Sequence, residues 1–179
     1  MTLFAETLET LSKHELRCAV IGATAMAAHG VARATMDVDL LLIGRGALDS
    51  PAWDHLRQSG VSVEIRRGDA DDPLEGVVRL RRADALPIDV IVGSAPWQQR
   101  VIERAAHVDL FGARAPVATA RDLILLKLFA GSPQDRWDVA RLLATSPDPE
   151  LRRNVETDLD ALPGKCRKLW RSIAAASNA

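Results

Sequence analysis

Cysteine is scarce in this 179-residue chain: Cys18 and Cys166 are the only two, and they stand far apart. Cys18 also opens a run that reads as a core strand, so both are expected as free thiols in a reducing cytosol, not as a disulfide. Net charge is nearly absent too. Lys plus Arg number 23 against 24 Asp plus Glu, a balance of −1 at pH 7, so no global pull toward nucleic acid exists and any such contact has to be local. No apolar run approaches the roughly 20 residues that span a bilayer. The opening residues Met1-Thr2-Leu3-Phe4-Ala5-Glu6 bring an acid and none of the basic stretch of a leader peptide. The expectation is a soluble cytoplasmic protein without a membrane partner. Internal repeats and low-complexity segments are lacking as well. What the chain has is 47% hydrophobic residues, enough at this length to bury one substantial core with a helical appendage.

The segment Thr35-Met36-Asp37-Val38-Asp39-Leu40-Leu41-Leu42-Ile43 sets two carboxylates two residues apart at the head of a strongly apolar run. Such a run reads as a buried strand with period two, so Asp37 and Asp39 share a face while Val38 takes the other. Like charges side by side repel, and burying them unpaired is costly. A bridging divalent cation relieves both penalties, and carboxylate oxygens suit Mg²⁺ or Mn²⁺. The plainer reading is a pair that caps a turn or meets an arginine. The neighbouring segments favour the metal.

Upstream, Cys18-Ala19-Val20-Ile21 is a short β-prone run, followed by Gly22-Ala23-Thr24-Ala25-Met26-Ala27-Ala28-His29-Gly30. The alanine-rich stretch is a good helix former and Gly30 a natural stop. A strand that breaks at Gly22 into a helix presents free backbone N–H groups and a positive dipole end, which suit a phosphate chain. Thr24 adds a hydroxyl, and Arg33 lies between this helix and the acid strand, where a guanidinium can grip phosphate or pair with an acid. Downstream, Leu86-Pro87-Ile88-Asp89-Val90-Ile91-Val92-Gly93 is another apolar strand interrupted by one acid. If it lies beside the Asp37/Asp39 strand, three carboxylates meet on one patch, the arrangement used in two-metal phosphoryl transfer.

Gly22-Ala23-Thr24 with its helix, Arg33, Thr35, Asp37-x-Asp39 and Asp89 resemble the polymerase-β-type nucleotidyltransferase superfamily. More narrowly, the chain resembles small bacterial nucleotidyltransferase-like proteins of abortive-infection and toxin–antitoxin systems. In that group a helix with a lysine and a short Asp-rich segment follow the catalytic domain. Here these are Arg121-Asp122-Leu123-Ile124-Leu125-Leu126-Lys127-Leu128-Phe129-Ala130-Gly131 and Gln134-Asp135-Arg136-Trp137-Asp138-Val139. The likeness spans roughly residues 15–145. It implies a metal-dependent nucleotidyltransferase moving an NMP from an NTP to a hydroxyl acceptor in RNA (tRNA in some relatives), protein or a small molecule. It implies catalytic and metal-binding roles for Asp37, Asp39 and Asp89, with Mg²⁺ or Mn²⁺ as cofactor. Nucleotide binding falls to Gly22, Ala23, Thr24, Arg33 and Lys127, and a substrate-side place to Asp135. An antitoxin or a second copy of the chain is the implied partner. Ala23 departs from the pattern, since many members have a second glycine or a serine there. The other reading carried forward is an inactive binding protein of the same fold acting with a partner.

The rest of the chain predicts a helix over residues 2–14, a loop at 44–46, a helix from Ser50-Pro51 through Gln58 and a strand over 61–66. An acidic turn over 68–73 follows, then strands over 77–82 and 87–92 that turn near Ala83-Asp84. A helix over 95–105 and a short strand pair around Gly112 lead to four helices: one from Thr119, which with Asp122 spells a capping box, then 135–144, 148–160 and 164–176, with a frayed tail over 174–179. Arg79 and Arg81 share a strand face, read by default as a solvated edge strand and otherwise as a basic rim. Lys127 reads either as a lysine snorkelling from an apolar helix or as a phosphate contact. Asp135 and Asp138 fit first-turn acids as well as a substrate-side role. His29, His55 and His107 lack partners at ligand spacing. The fold class is α/β (α+β): a small mixed sheet carrying the three acids and backed by helices over residues 1–116, with a C-terminal helical bundle over 117–179.

Overall fold

Thr2 caps α1 (Leu3–Lys13), its hydroxyl accepting the Ala5 N–H at 3.2 Å, and the apolar stripe buries Leu3, Phe4 and Leu11. The computed structural model describes residues 1–69 and 72–176. Residues 70 and 71 of the expected acidic turn and 177–179 of the expected tail lie outside the described residues. The strands are β1 (Cys18–Ile21), β2 (Val38–Ile43), β3 (Ser62–Arg67), β4 (Leu74–Arg81), β5 (Ile88–Gly93), β6 (Ala106–Leu110) and β7 (Ala113–Val117). They form one seven-stranded sheet in the order β3-β4-β5-β2-β1-β7-β6. Pairs β2–β5 and β1–β7 are parallel and the others antiparallel, so the mixed sheet read from the sequence is present. All four residues of β1 are buried, and burial pushes the Cys18 thiol up to about 12, the state of a packing residue rather than a nucleophile.

Three local expectations change. Residues 44–46 are not a simple loop, because Arg45–Leu48 forms a 3₁₀ turn. The helix expected from Ser50 is a second 3₁₀ turn, Ser50–Trp53, followed by α3 (Asp54–Gln58). Trp53 explains the tighter winding: its fully buried indole donates to the Ala47 carbonyl at 2.7 Å. The expected edge strand β4 is internal, flanked by β3 and β5. Gly76, Val78 and Leu80 bury one of its faces, and its backbone pairs on both sides, leaving β3 as the edge.

The remaining helices are α2 (Gly22–Ala28), α4 (Pro96–Glu103), α5 (Ala120–Ala130), α6 (Pro133–Thr145), α7 (Leu151–Asp158) and α8 (Gly164–Ala176). Thr119 caps α5 by accepting the Asp122 N–H at 3.2 Å, and Gly131, at φ +76°, ends it in the left-handed conformation. Ser132 and Asp135 then form a reciprocal capping box at the start of α6. The chain divides into two compact units. One comprises Met1–Thr24 and Ala34–Ala118 and contains the sheet; the other comprises Ala25–Arg33 and Thr119–Ala179. Leu40, Leu42, Val78, Leu80 and Val90 anchor the interior of the first, and Ile124, Leu128, Val139 and Val155 that of the second.

Candidate active site

The parallel register of β2 and β5 sets Asp39 beside Asp89, between the pairs Val38–Ile88 and Leu40–Val90. Register partners on neighbouring strands point to the same face. Asp39 and Asp89 therefore share one face, whereas Asp37, expected beside Asp39 in the strand, lies in the bend just before β2. The opposite face carries Val38, Leu40, Ile88 and Val90, all buried, so a one-residue slip would drive the acids into an apolar layer. The Pro87 carbonyl accepts the Val38 N–H at 2.9 Å and fixes the start of the pairing.

Asp37 and Asp89 each meet a neighbouring side chain. Thr35 Oγ1 lies 3.0 Å from both the carbonyl oxygen and Oδ1 of Asp37. Arg79, opposite Asp89 in the β4–β5 pairing, donates from Nε to Asp89 Oδ2 at 3.3 Å. The solvated role expected for Arg79 is thus replaced by an ion pair with a candidate catalytic acid. The signal was in the sequence: a hairpin turning at Asp84 places residues five before and five after it opposite each other, and those are Arg79 and Asp89.

Gly22 completes this face. Ile21 pairs with Asp39 across β1–β2, which brings Gly22 onto the carboxylate. Its φ is +64°, and a Cβ there would stand 2.9 Å from Asp39 Cγ, so both backbone and space demand glycine. Ala23 lies within α2 and is not among the residues at positive φ. The left-handed turn therefore falls on Gly22 alone, and alanine at 23 is compatible with it. Thr24 is 7% exposed and its Oγ1 has no hydrogen-bond partner. Leaving a buried hydroxyl unpaired costs about 1–3 kcal/mol.

Arg33, Lys127 and Asp135 belong to the other unit and form a charge cluster there. Lys127 Nζ stands 2.9 Å from Asp135 Oδ1 and 2.7 Å from Asp138 Oδ2. The second contact is an ion pair by distance without a well-aligned hydrogen bond. Asp138 is fully buried, and it also accepts from Gln134 Nε2 at 2.9 Å and faces Arg33 Nε at 3.9 Å. The Lys127 side chain is only 13% exposed, so it does not snorkel. Burial pushes the Asp135 carboxyl up, but hydrogen bonds from Ser132 and Lys127 outweigh it and leave the group below the ordinary aspartate value.

Among the described residues, no three His, Cys, Asp or Glu side chains gather into a group that could hold a metal ion as they stand. The donor set nevertheless suits Mg²⁺ or Mn²⁺: hard carboxylate oxygens, with Asp39 and Asp89 on register partners.

Comparison with known proteins now bears on this geometry. A family model described as the nucleotidyl transferase AbiEii toxin of type IV toxin–antitoxin systems matches residues 6–167. The chain belongs to that family. Among solved structures, this AbiEii-family chain is similar to the solution structure of the antibiotic-resistance factor ANT(2″)-Ia, with a TM-score of 0.54 at 20% identity over 98% of this chain and 93% of that one. A crystal structure of ANT(2″)-Ia with adenylyl-2″-tobramycin gives 0.50 at 17% identity over 97% and 96%. A nucleotidyltransferase-like protein from Thermotoga maritima gives 0.52 at 15% identity over 80% and 96%. At these identities the likeness establishes the nucleotidyltransferase fold. No functionally curated protein matches the sequence.

Proposed function

We propose that Asp37, Asp39 and Asp89 form the active site of a metal-dependent nucleotidyltransferase that moves an NMP from an NTP to a hydroxyl acceptor. The single observation that carries the reading is the Asp39–Asp89 register pair with Gly22 against Asp39. Asp37, Asp39 and Asp89 would hold Mg²⁺ or Mn²⁺, which when bound lowers the pKa of the acceptor hydroxyl and neutralises charge on the leaving pyrophosphate. Gly22, Ala23 and Thr24, where β1 turns into α2, would lie against the phosphates in this reading, and the buried Thr24 hydroxyl, which has no hydrogen-bond partner, would be a donor to them. Asp89 accepts the acceptor's proton as the hydroxyl oxygen bonds to the α-phosphorus and the bond to pyrophosphate breaks. Arg33 and Lys127 serve as nucleotide contacts in this reading, Asp135 on the substrate side. The acceptor is an RNA, a protein or a small molecule, an antitoxin is the expected partner, and the cytoplasm is the expected compartment.

One observation favours a second reading, a binding protein that keeps the fold without turnover. Arg79 occupies an oxygen of Asp89 that catalysis needs. Calorimetry with an NTP and Mn²⁺ separates the two. Metal-dependent nucleotide binding supports the enzyme, and its absence supports the idle scaffold.

A further inference from the structure

Four tryptophans occur in this chain and tyrosine is absent. Trp53, Trp97 and Trp170 are buried, whereas Trp137 is 48% exposed. Packing does not account for it: the inward positions of α6 are Asp135, Asp138, Val139 and Leu142. Instead Trp137 lines an open hollow of about 490 Å³ with Arg33, Pro133 and Gln134. Arg141, one helical turn further on, sets its guanidinium carbon 5.5 Å from the indole centroid. Arg33 is steadied by the buried Asp138, 3.9 Å from its Nε. One hollow therefore joins a flat aromatic ring, a guanidinium and an amide, with a second guanidinium against the ring.

That set matches a nucleobase carrying phosphate. Any base presents a π-face that stacks on an indole, and arginine binds phosphate oxygens in pairs. With the whole chain at −1, such contact has to be local, and here aromatic and basic groups sit together. We propose that Trp137 is a stacking platform for a nucleobase whose phosphate is taken by Arg33 and Arg141, in a free nucleotide or in single-stranded nucleic acid. Its ligand class rests on the nucleotide-handling function proposed above. The plainer account is a surface cation–π pair, which predicts no ligand at all.

Tryptophan emission of the full chain, titrated in the presence of a chelator, tests the proposal. The probes are AMP, a single-stranded oligoadenylate and an abasic oligonucleotide of equal length. The expected result is quenching by base-bearing ligands and none by the abasic one. Trp137→Ala should weaken binding about tenfold and abolish the quench, because a stacked base is worth that much, while Trp137→Phe keeps most of the affinity. Quenching by AMP identifies a mononucleotide site, and quenching by the oligoadenylate alone a polynucleotide site. Equal affinity in Trp137→Ala, abasic binding as tight as that of the oligoadenylate, or no quench with any probe overturns the proposal. Asp39→Asn separates it from catalysis: that variant should still quench whether or not transfer is lost, and transfer without quenching would sink the Trp137 site alone.

Discussion

Arg79 Nε reaches Asp89 Oδ2 at 3.3 Å across the β4–β5 pairing. An arginine and a divalent cation seek the same carboxylate oxygen, so they compete for it. A partly exposed ion pair contributes up to about 1 kcal/mol, or about fivefold in affinity. Arg79→Met should therefore tighten Mn²⁺ binding by up to about fivefold in calorimetry. Unchanged or weaker binding would show that Arg79 supports the site rather than competing with it.

Gly22→Ala places a Cβ against the Asp39 carboxylate at a backbone φ of +64°. The left-handed conformation costs a non-glycine residue about 1–2 kcal/mol, and the steric conflict adds to it. Urea denaturation should show at least that loss, and calorimetry should show nucleotide binding reduced more than the stability loss explains. A variant with wild-type nucleotide affinity would remove Gly22 from the phosphate site.

Lys127→Met leaves Asp138 buried with its nearest remaining cation, Arg33 Nε, at 3.9 Å. Breaking a buried pair from one side costs about 3–5 kcal/mol. The urea midpoint should fall accordingly, and a second change of Asp138→Leu should recover part of the loss. If Lys127→Met is neutral in stability but weakens nucleotide binding, the lysine is a ligand contact first and a structural one second.

The Asp135 carboxyl is held below its ordinary value of 3.8, because Ser132 and Lys127 outweigh burial. A folded-state pKa below the unfolded one stabilises the fold above the unfolded value. That contribution is lost as pH falls through the folded one. Melting temperature should decline as pH is lowered through and below 3.8, and Asp135→Asn should flatten the decline. An identical profile in the variant would assign the acid sensitivity to other carboxylates.

How much of this was legible depends on how local each signal is. The acid strand, the glycine turn and the third acid follow from period-two patterning and a single glycine, and the structure has them at Val38–Ile43, Gly22 and Ile88–Gly93, except that Asp37 falls in a bend before the strand. Even the Arg79–Asp89 contact was implied by the turn near Asp84, since antiparallel register follows from the turn's centre. The Lys127–Asp138 pair was not legible. It depends on how the Gly131–Ser132 turn angles α6 against α5, which residue types do not reveal. The 3₁₀ turn at Ser50–Trp53 was hidden for a similar reason: the bond from the Trp53 indole to Ala47 overrides a helical pattern. Trp137 gave no periodic signal, because its role lies on the face of α6 that packing leaves alone.

The central claim is that the Asp39 carboxylate supports metal-dependent NMP transfer. Purified protein incubated with each labelled NTP and Mg²⁺, together with cellular RNA, protein and small molecules, measures it directly, alongside Asp39→Asn. The account predicts label covalently attached to an acceptor by the wild type and none by the variant, with both proteins melting alike. Equal labelling by a folded Asp39→Asn protein would contradict it.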